Sequence, residues 1–268
     1  MTIRVGIGGW VYAPWRGVFY PPALLQSREL YHASRQLTSI EINGTFYGAQ
    51  KPASFRRWRD ETPEDFVFSL KGPRYATHRR VLAESGPSIE RFLTSGVLEL
   101  GPKLGPILWQ FPPTTRFDRE NFAAFLALLP PRRDGTALRH VIEVGHASFA
   151  DEAFAALLRD FGVAVALVDS ERRPLIAEIT ADFVYARLRR LTAEVPTGYP
   201  PADLDAWAEQ FREFAAGDGA AAPRGRKSPA AADRDCFVYF INGAKERAPA
   251  AATALIERLD QSPRNSPR

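Results

Sequence analysis

Short runs of β-branched and aromatic residues recur about every thirty positions along the chain, with amphipathic stretches between most of them. These runs predict strands near 4–8 (RVGIG), 38–42 (TSIEI), 66–71 (FVFSLK), 106–110 (PILWQ), 140–144 (HVIEV), 163–168 (VAVALV), 183–188 (FVYARL) and 236–241 (CFVYFI). Helical periodicity predicts helices near 22–36, 52–60, 87–100, 118–129, 150–160, 201–216 and 248–259. Asp118, and either Ser148 or Asp151, stand where an N-cap belongs, and Pro201 suits a first helical turn. Between strands six and seven, Pro174 and the lack of periodicity predict a degenerate crossover. Strands alternating with helices imply a parallel sheet. Eight of them fit an α/β protein of the (β/α)₈ TIM-barrel type, a single domain over residues 1–262. A doubly wound open sheet competes, but VGIGGW lacks the G-x-G-x-x-G spacing of a dinucleotide turn.

Two strands carry an acid where an apolar residue is expected. Glu41 lies between Ile40 and Ile42, and Glu143 between Ile142 and Val144. Side chains alternate along a strand, so if the aliphatic residues pack under helices, both acids point into the barrel. Each strand then stops, which places the acids at the C-terminal rim, where barrel enzymes keep their active sites. Other strands also end on polar residues: Lys71, Gln110, Asp169, Arg187 and Asn242, with Asn43 one step past Glu41. Polar residues end many strands simply because loops begin there. For Gln110 or Asn242 alone that ordinary reading is preferred; for the two glutamates it is not. Lys71 could also close an ion pair with one of them.

Composition adds less than position. The formal charge is +4 and the sequence pI about 9.3, mildly basic and short of a dedicated nucleic-acid module. Arginine-bearing loops (Arg74, Arg79, Arg80, with Arg187 and Arg189) predict a positive rim that favours phosphate or carboxylate groups. Arg56, Arg57 and Arg59 read better as a solvated helix face. His78 and His146 fall in rim loops and could carry a proton. With Glu41, Glu143 and Asp169 they could hold one divalent ion, although no metal-binding motif is present and no cofactor is assigned. Trp10 and Tyr12 could stack on a sugar or base. The lone cysteine, Cys236, excludes an intrachain disulfide. No apolar run is long enough to span a membrane and the N-terminus is not laid out as a signal peptide, so a cytoplasmic protein is expected. Residues 217–235 and 263–268 are poor in apolar residues and predict a mobile insertion and a disordered tail.

Several segments together resemble the YecE-like family, the domain of unknown function 72: VGIGGWVYAPWRGVFYP (5–21), SIEINGTFYG (39–48), TPEDFVFSLKGPRYATH (62–78), LGPILWQFPP (104–113), IEVGH (142–146), FVYARL (183–188), YPPADLDAWAEQ (199–210) and FINGAKERAP (240–249). The resemblance covers nearly the whole chain and implies a barrel akin in fold to sugar isomerases and endonuclease-IV-like proteins. By motif position it points to Trp10, Glu41, Asn43, Lys71, His78, Gln110, Glu143, His146, Arg187 and Asn242. The chain departs from the family pattern where Gly145 replaces an arginine, Arg189 and Arg190 replace a His-Gly pair, Gly8 replaces a serine, and Ala251 lies near a usual asparagine.

The expected function is an acid/base enzyme acting on a small anionic polar substrate, such as a phosphorylated sugar. Glu41 and Glu143 would be acid and base, Lys71 and Arg187 the anion clamp, and His78 or His146 a proton carrier. The alternatives are a nucleic-acid-binding barrel that grips phosphates and a ligand-binding barrel without catalysis.

Overall fold

The computed structural model describes residues 2–217 and 233–261. Most of the expected insertion and all of the expected tail therefore lie outside the described residues. Eight strands close into a parallel barrel: β1 (Ile3–Gly8), β2 (Ser39–Ile42), β3 (Val67–Lys71), β4 (Leu104–Gln110), β5 (His140–Glu143), β6 (Ala164–Asp169), β7 (Phe183–Leu188) and β8 (Asp235–Phe240). Each pairs with its neighbour in chain order, and β8 closes the ring on β1 through Ile3 beside Cys236 to Ile7 beside Phe240. Helices α1 (Glu29–Gln36), α2 (Pro52–Glu61), α3 (Gly86–Leu93), α4 (Arg119–Leu126), α5 (Glu152–Phe161), α6 (Pro201–Ala215) and α7 (Ala248–Asp260) are the long helices of this alternation. No helix among the described residues is long and apolar enough to cross a membrane.

Local signals set most boundaries. The Asp118 side chain accepts the Asn121 N–H and starts α4; Asp151, rather than Ser148, does the same for Ala153 and α5. Two helices fall far short of the length that periodicity predicts, and α4 stops three residues early. The first begins only at Glu29, after a 3₁₀ turn at Gln26–Arg28. The third stops at Leu93; Gly96 follows at φ 106°, and 3₁₀ turns carry the chain on to Lys103. A two-residue hairpin, Arg132–Arg133 with Thr136–Ala137, was not anticipated, although Asp134-Gly135 between its arms, both at positive φ, is the turn such a hairpin favours.

The degenerate crossover is real. Residues 170–182 contain no helix, and Thr180 ties the segment down by donating to the Val163 carbonyl at 2.7 Å and accepting from the Val165 amide at 2.8 Å. Without a helix here, the start of the segment is free to fold across the mouth of the barrel.

Alternation along the strands separates two cores. Val5, Ile7, Ile40, Ile42, Phe68, Leu70, Ile107, Trp109 and Ile142 face outward into the shell beneath the helices. Val67, Leu108, Val141, Ala166, Tyr185, Phe237 and Tyr239 fill the lumen. Each fully buried aliphatic or aromatic side chain contributes about 1.5–3 kcal/mol. That outer shell gives each strand a strong reason to keep its register, because a one-residue slip would turn Ile40 inward and Glu41 outward.

Candidate active site at the barrel mouth

The lumen changes character from floor to mouth. Partway up, the Tyr239 hydroxyl shares hydrogen bonds with Ser39 Oγ at 2.7 Å and Ser69 Oγ at 2.6 Å. Beyond it, Tyr185 donates its hydroxyl to Glu41 Oε2 at 2.7 Å. Arg187 then bridges the two acids: one guanidinium nitrogen donates to Glu41 Oε1 at 2.8 Å and another to Glu143 Oε2. Glu41 and Glu143 are fully buried and Arg187 is 3% exposed, so the three form a desolvated triad. The remaining oxygen of Glu143 accepts from Gln110 at 2.7 Å, Arg173 at 2.7 Å and Arg189 at 3.2 Å.

These contacts set the charge states. Burial alone would raise the Glu143 carboxyl; Arg187, Arg173 and Arg189 outweigh it and hold the group down at about 2. Glu143 is thus a fixed carboxylate and is unsuited to donate a proton. Burial works against the charge on Arg187 too, but Glu143 and Glu41 reverse the effect and raise it. Burial, helped by Arg187, pushes Lys71 down to about 8. The Lys71 ammonium lies 3.9 Å from the centre of the Phe46 ring and has no hydrogen-bonded or ion-paired partner among the described residues.

Above the triad opens a cavity of about 400 Å³. Asn43, Tyr47, Lys71, Gln110, Arg187 and Arg189 line it, with Asn242 and Lys245 at its edge. Asn242 adopts φ 59°, and its amide satisfies its neighbours only with the oxygen turned toward the Arg189 guanidinium. Gly243, at φ 56°, must be glycine, since a β carbon would stand 2.5 Å from the Leu191 carbonyl oxygen.

Seven of the predicted site residues converge here: Glu41, Asn43, Lys71, Gln110, Glu143, Arg187 and Asn242. Five do not. Trp10 turns outward and packs edge-on against Trp58 at 5.3 Å. Tyr12 rests on Trp15 at 5.2 Å beneath the Lys245 ammonium. Both rings already have aromatic partners. His78 is exposed beyond Phe46, 5.7 Å from that ring; burial, then Arg74 and Lys71, lower its pKa. His146 caps a 3₁₀ turn, its Nδ1 accepting the Ser148 amide at 3.1 Å. Asp169 has the parity of Leu167, so it faces outward, accepting from Tyr199 at 2.8 Å and Arg190 at 3.1 Å. The candidate metal ligands are therefore dispersed. Among the described residues no group of three His, Cys, Asp or Glu side chains is placed to share an ion.

Arg173 is the residue sequence reasoning missed. It sits in the helix-less crossover, and no spacing marked it. Its guanidinium lies 3.3 Å from where a β carbon on Gly145 would stand. Gly145 leaves the adjoining space free of a side chain, and Arg173, from another segment, occupies it and grips Glu143. Gly8 is similarly tight: a β carbon there would lie 2.9 Å from Ile241 and 3.0 Å from Asn43. Lys245 was also missed as a mouth residue, although it lies in a segment that carries the resemblance.

Comparison with known proteins agrees with this architecture. A DUF72 family protein of Thermotoga maritima superposes with a TM-score of 0.73 at 24% identity, covering 97% of this chain and all of that one. SacUVDE shares the fold with a TM-score of 0.54 at 12% identity, over 95% of this chain and 98% of its own. In sequence, UPF0759 protein YecE of Escherichia coli (strain K12) is 30% identical over 112 residues, 42% of this chain and 38% of that protein. UPF0759 protein YunF of Bacillus subtilis (strain 168) is 29% identical over 126 residues, 45% of this chain and 44% of its length. The chain's match thus spans less than half the length of these curated relatives. The family described as "Protein of unknown function DUF72" matches residues 4–268, so the chain belongs to the DUF72 family.

Proposed function

We propose that this barrel is an acid/base enzyme acting on a small anionic polar molecule, such as a phosphorylated sugar, held at the C-terminal mouth. The observation that carries the reading is the imbalance of charge and pairing there. Lys71, Arg173, Arg187, Arg189 and Lys245 surround only two buried acids, Glu41 and Glu143. An anion entering the cavity would satisfy the excess, and guanidinium groups already held by carboxylates need little reorganisation to receive it.

The roles differ from those the sequence suggested. Glu143 orients three arginines and stays ionised. Lys71 is the proton carrier: its pKa of about 8 lets it exist in both forms near neutral pH, and no protein group competes for it. Gln110 and Asn43 are the neutral polar groups beside it. A cytoplasmic location fits such a substrate.

Solvent-exchange measurements test the reading. Sugar phosphates incubated with the enzyme in D₂O should gain deuterium at the carbon next to a carbonyl, as seen by NMR. Lys71→Met should slow that exchange about 10²- to 10⁴-fold. Exchange at the wild-type rate in the variant would remove Lys71 from the role. A binding barrel without turnover is the second reading, favoured by the complete occupation of the Glu143 carboxylate by donors. It predicts that sugar phosphates raise the melting temperature with no exchange.

A further inference from the structure

A second cavity, of about 650 Å³, opens beside the first and shares Arg189 and Asn242 with it. Arg172, Arg173, Arg189 and Arg190 line it, with the Thr192 and Ser170 hydroxyls, and Glu171 is the one acid among its lining residues. Two of the arginines come from the helix-less crossover and two from the end of β7, so the cluster exists only because that crossover folds over the mouth.

The four are not equally engaged. Arg173 and Arg189 reach inward to Glu143. Arg190 is clipped from outside by Asp169 at 3.1 Å and Asp203 at 3.8 Å, and remains 47% exposed. Arg172 is exposed and its guanidinium has no partner among the described residues. Arg172 therefore adds an unanswered charge beside three arginines whose acids are already shared, and like charges so placed repel one another, a cost that a bound anion would relieve. Arg189, shared by both cavities, would then stand between two anionic groups on one ligand.

We propose that the mouth takes a small molecule carrying two anionic groups, one in the inner cavity with Lys71 and Arg187 and one in the outer cavity with Arg172 and Arg190. This rests on the proposed function above, and narrows it to doubly charged substrates such as sugar bisphosphates. Cavities of this size suit a compact molecule. The best-placed arginines lie at a recessed mouth rather than along a surface track, which favours a small ligand over a nucleic-acid strand.

Calorimetric titration of the full chain at pH 7 tests this, with fructose 6-phosphate, fructose 1,6-bisphosphate, inorganic phosphate and a single-stranded oligonucleotide as probes. The bisphosphate should bind at least ten-fold more tightly than the monophosphate. Arg172→Gln, at an exposed and unpaired position, should reduce that advantage to three-fold or less and leave monophosphate affinity unchanged. Equal affinity for the two sugars, or a variant that weakens both alike, overturns the second subsite but leaves the inner one standing. If neither sugar nor phosphate binds, the proposed function itself fails. Oligonucleotide binding tighter than the bisphosphate and falling steeply with salt overturns the proposal in favour of a nucleic-acid ligand.

Discussion

Glu143 and Lys71 stand two strands apart at the mouth of the barrel, and the barrel treats them in opposite ways. Glu143 is enclosed by three arginines and a glutamine, with both oxygens taken. Lys71 is nearly as buried, yet its ammonium rests on an aromatic ring with no hydrogen-bonded or ion-paired partner among the described residues. One side of the mouth is built to hold its charge in place and the other leaves a charge unanswered. A protein gains no stability from an unpaired buried cation, so under the proposed function Lys71 carries the chemistry and the arginines around Glu143 are the frame that supports it.

The largest test of this contrast is mutational. Arg187→Met would leave buried Glu41 without a cationic partner and take one of three arginines from Glu143, and should cost about 3–5 kcal/mol in urea denaturation. Lys71→Met removes a charge that nothing pairs and should leave stability unchanged or raise it by about 1–2 kcal/mol. Comparable losses in the two variants would erase the distinction between the sides.

Titration gives the next two effects, of opposite sign. The folded-state pKa of Glu143, about 2, lies below its ordinary 4.5, so its stabilisation is complete above 4.5 and disappears as pH falls toward 2. That contribution is about 3 kcal/mol, and Glu143→Gln, already less stable at neutral pH, should show a flatter acid limb. The folded-state pKa of Lys71, about 8, lies below its ordinary 10.5. The unfolded chain therefore holds a proton that the native one has lost between these values, and stability should rise with pH across that window. The rise should be about 2 kcal/mol, smaller because water reaches Lys71 through the open cavity, and absent in Lys71→Met. Equilibrium unfolding as a function of pH reads both limbs.

The smallest effect concerns how the frame is fitted together. A β carbon at Gly145 would meet the Pro113 backbone at 3.1 Å and Arg173 at 3.3 Å. Gly145→Ala should cost about 1 kcal/mol, read as a fall of about 2–4 °C in melting temperature. No change would mean that Arg173 is loosely held and that its grip on Glu143 is dispensable.

Glu41, Glu143 and Arg187 were legible as inward-facing because period two and the flanking aliphatic residues decide which face each takes. Asp169 was misplaced although the same rule, applied from Leu167, turns it outward. Trp10 and Tyr12 looked available for stacking because a sequence does not show which aromatic already has a partner. His146 looked free for the same reason, its ring nitrogen being engaged by the amide of Ser148, two residues on. The candidate metal ligands were counted by type without knowing where they would meet, and among the described residues no three of them come together.

By itself the sequence determined the barrel, the order of its strands, the missing crossover helix and the inward acids, because alternation and local capping act over a few residues and leave their marks in composition. Only the tertiary structure decided that Arg173 would reach Glu143, that Lys71 would be left unpaired, and that two cavities would share Arg189. Those outcomes join segments far apart in the chain, and the energy that selects them comes from burial and charge pairing, which depend on which side chains meet and have no period to read.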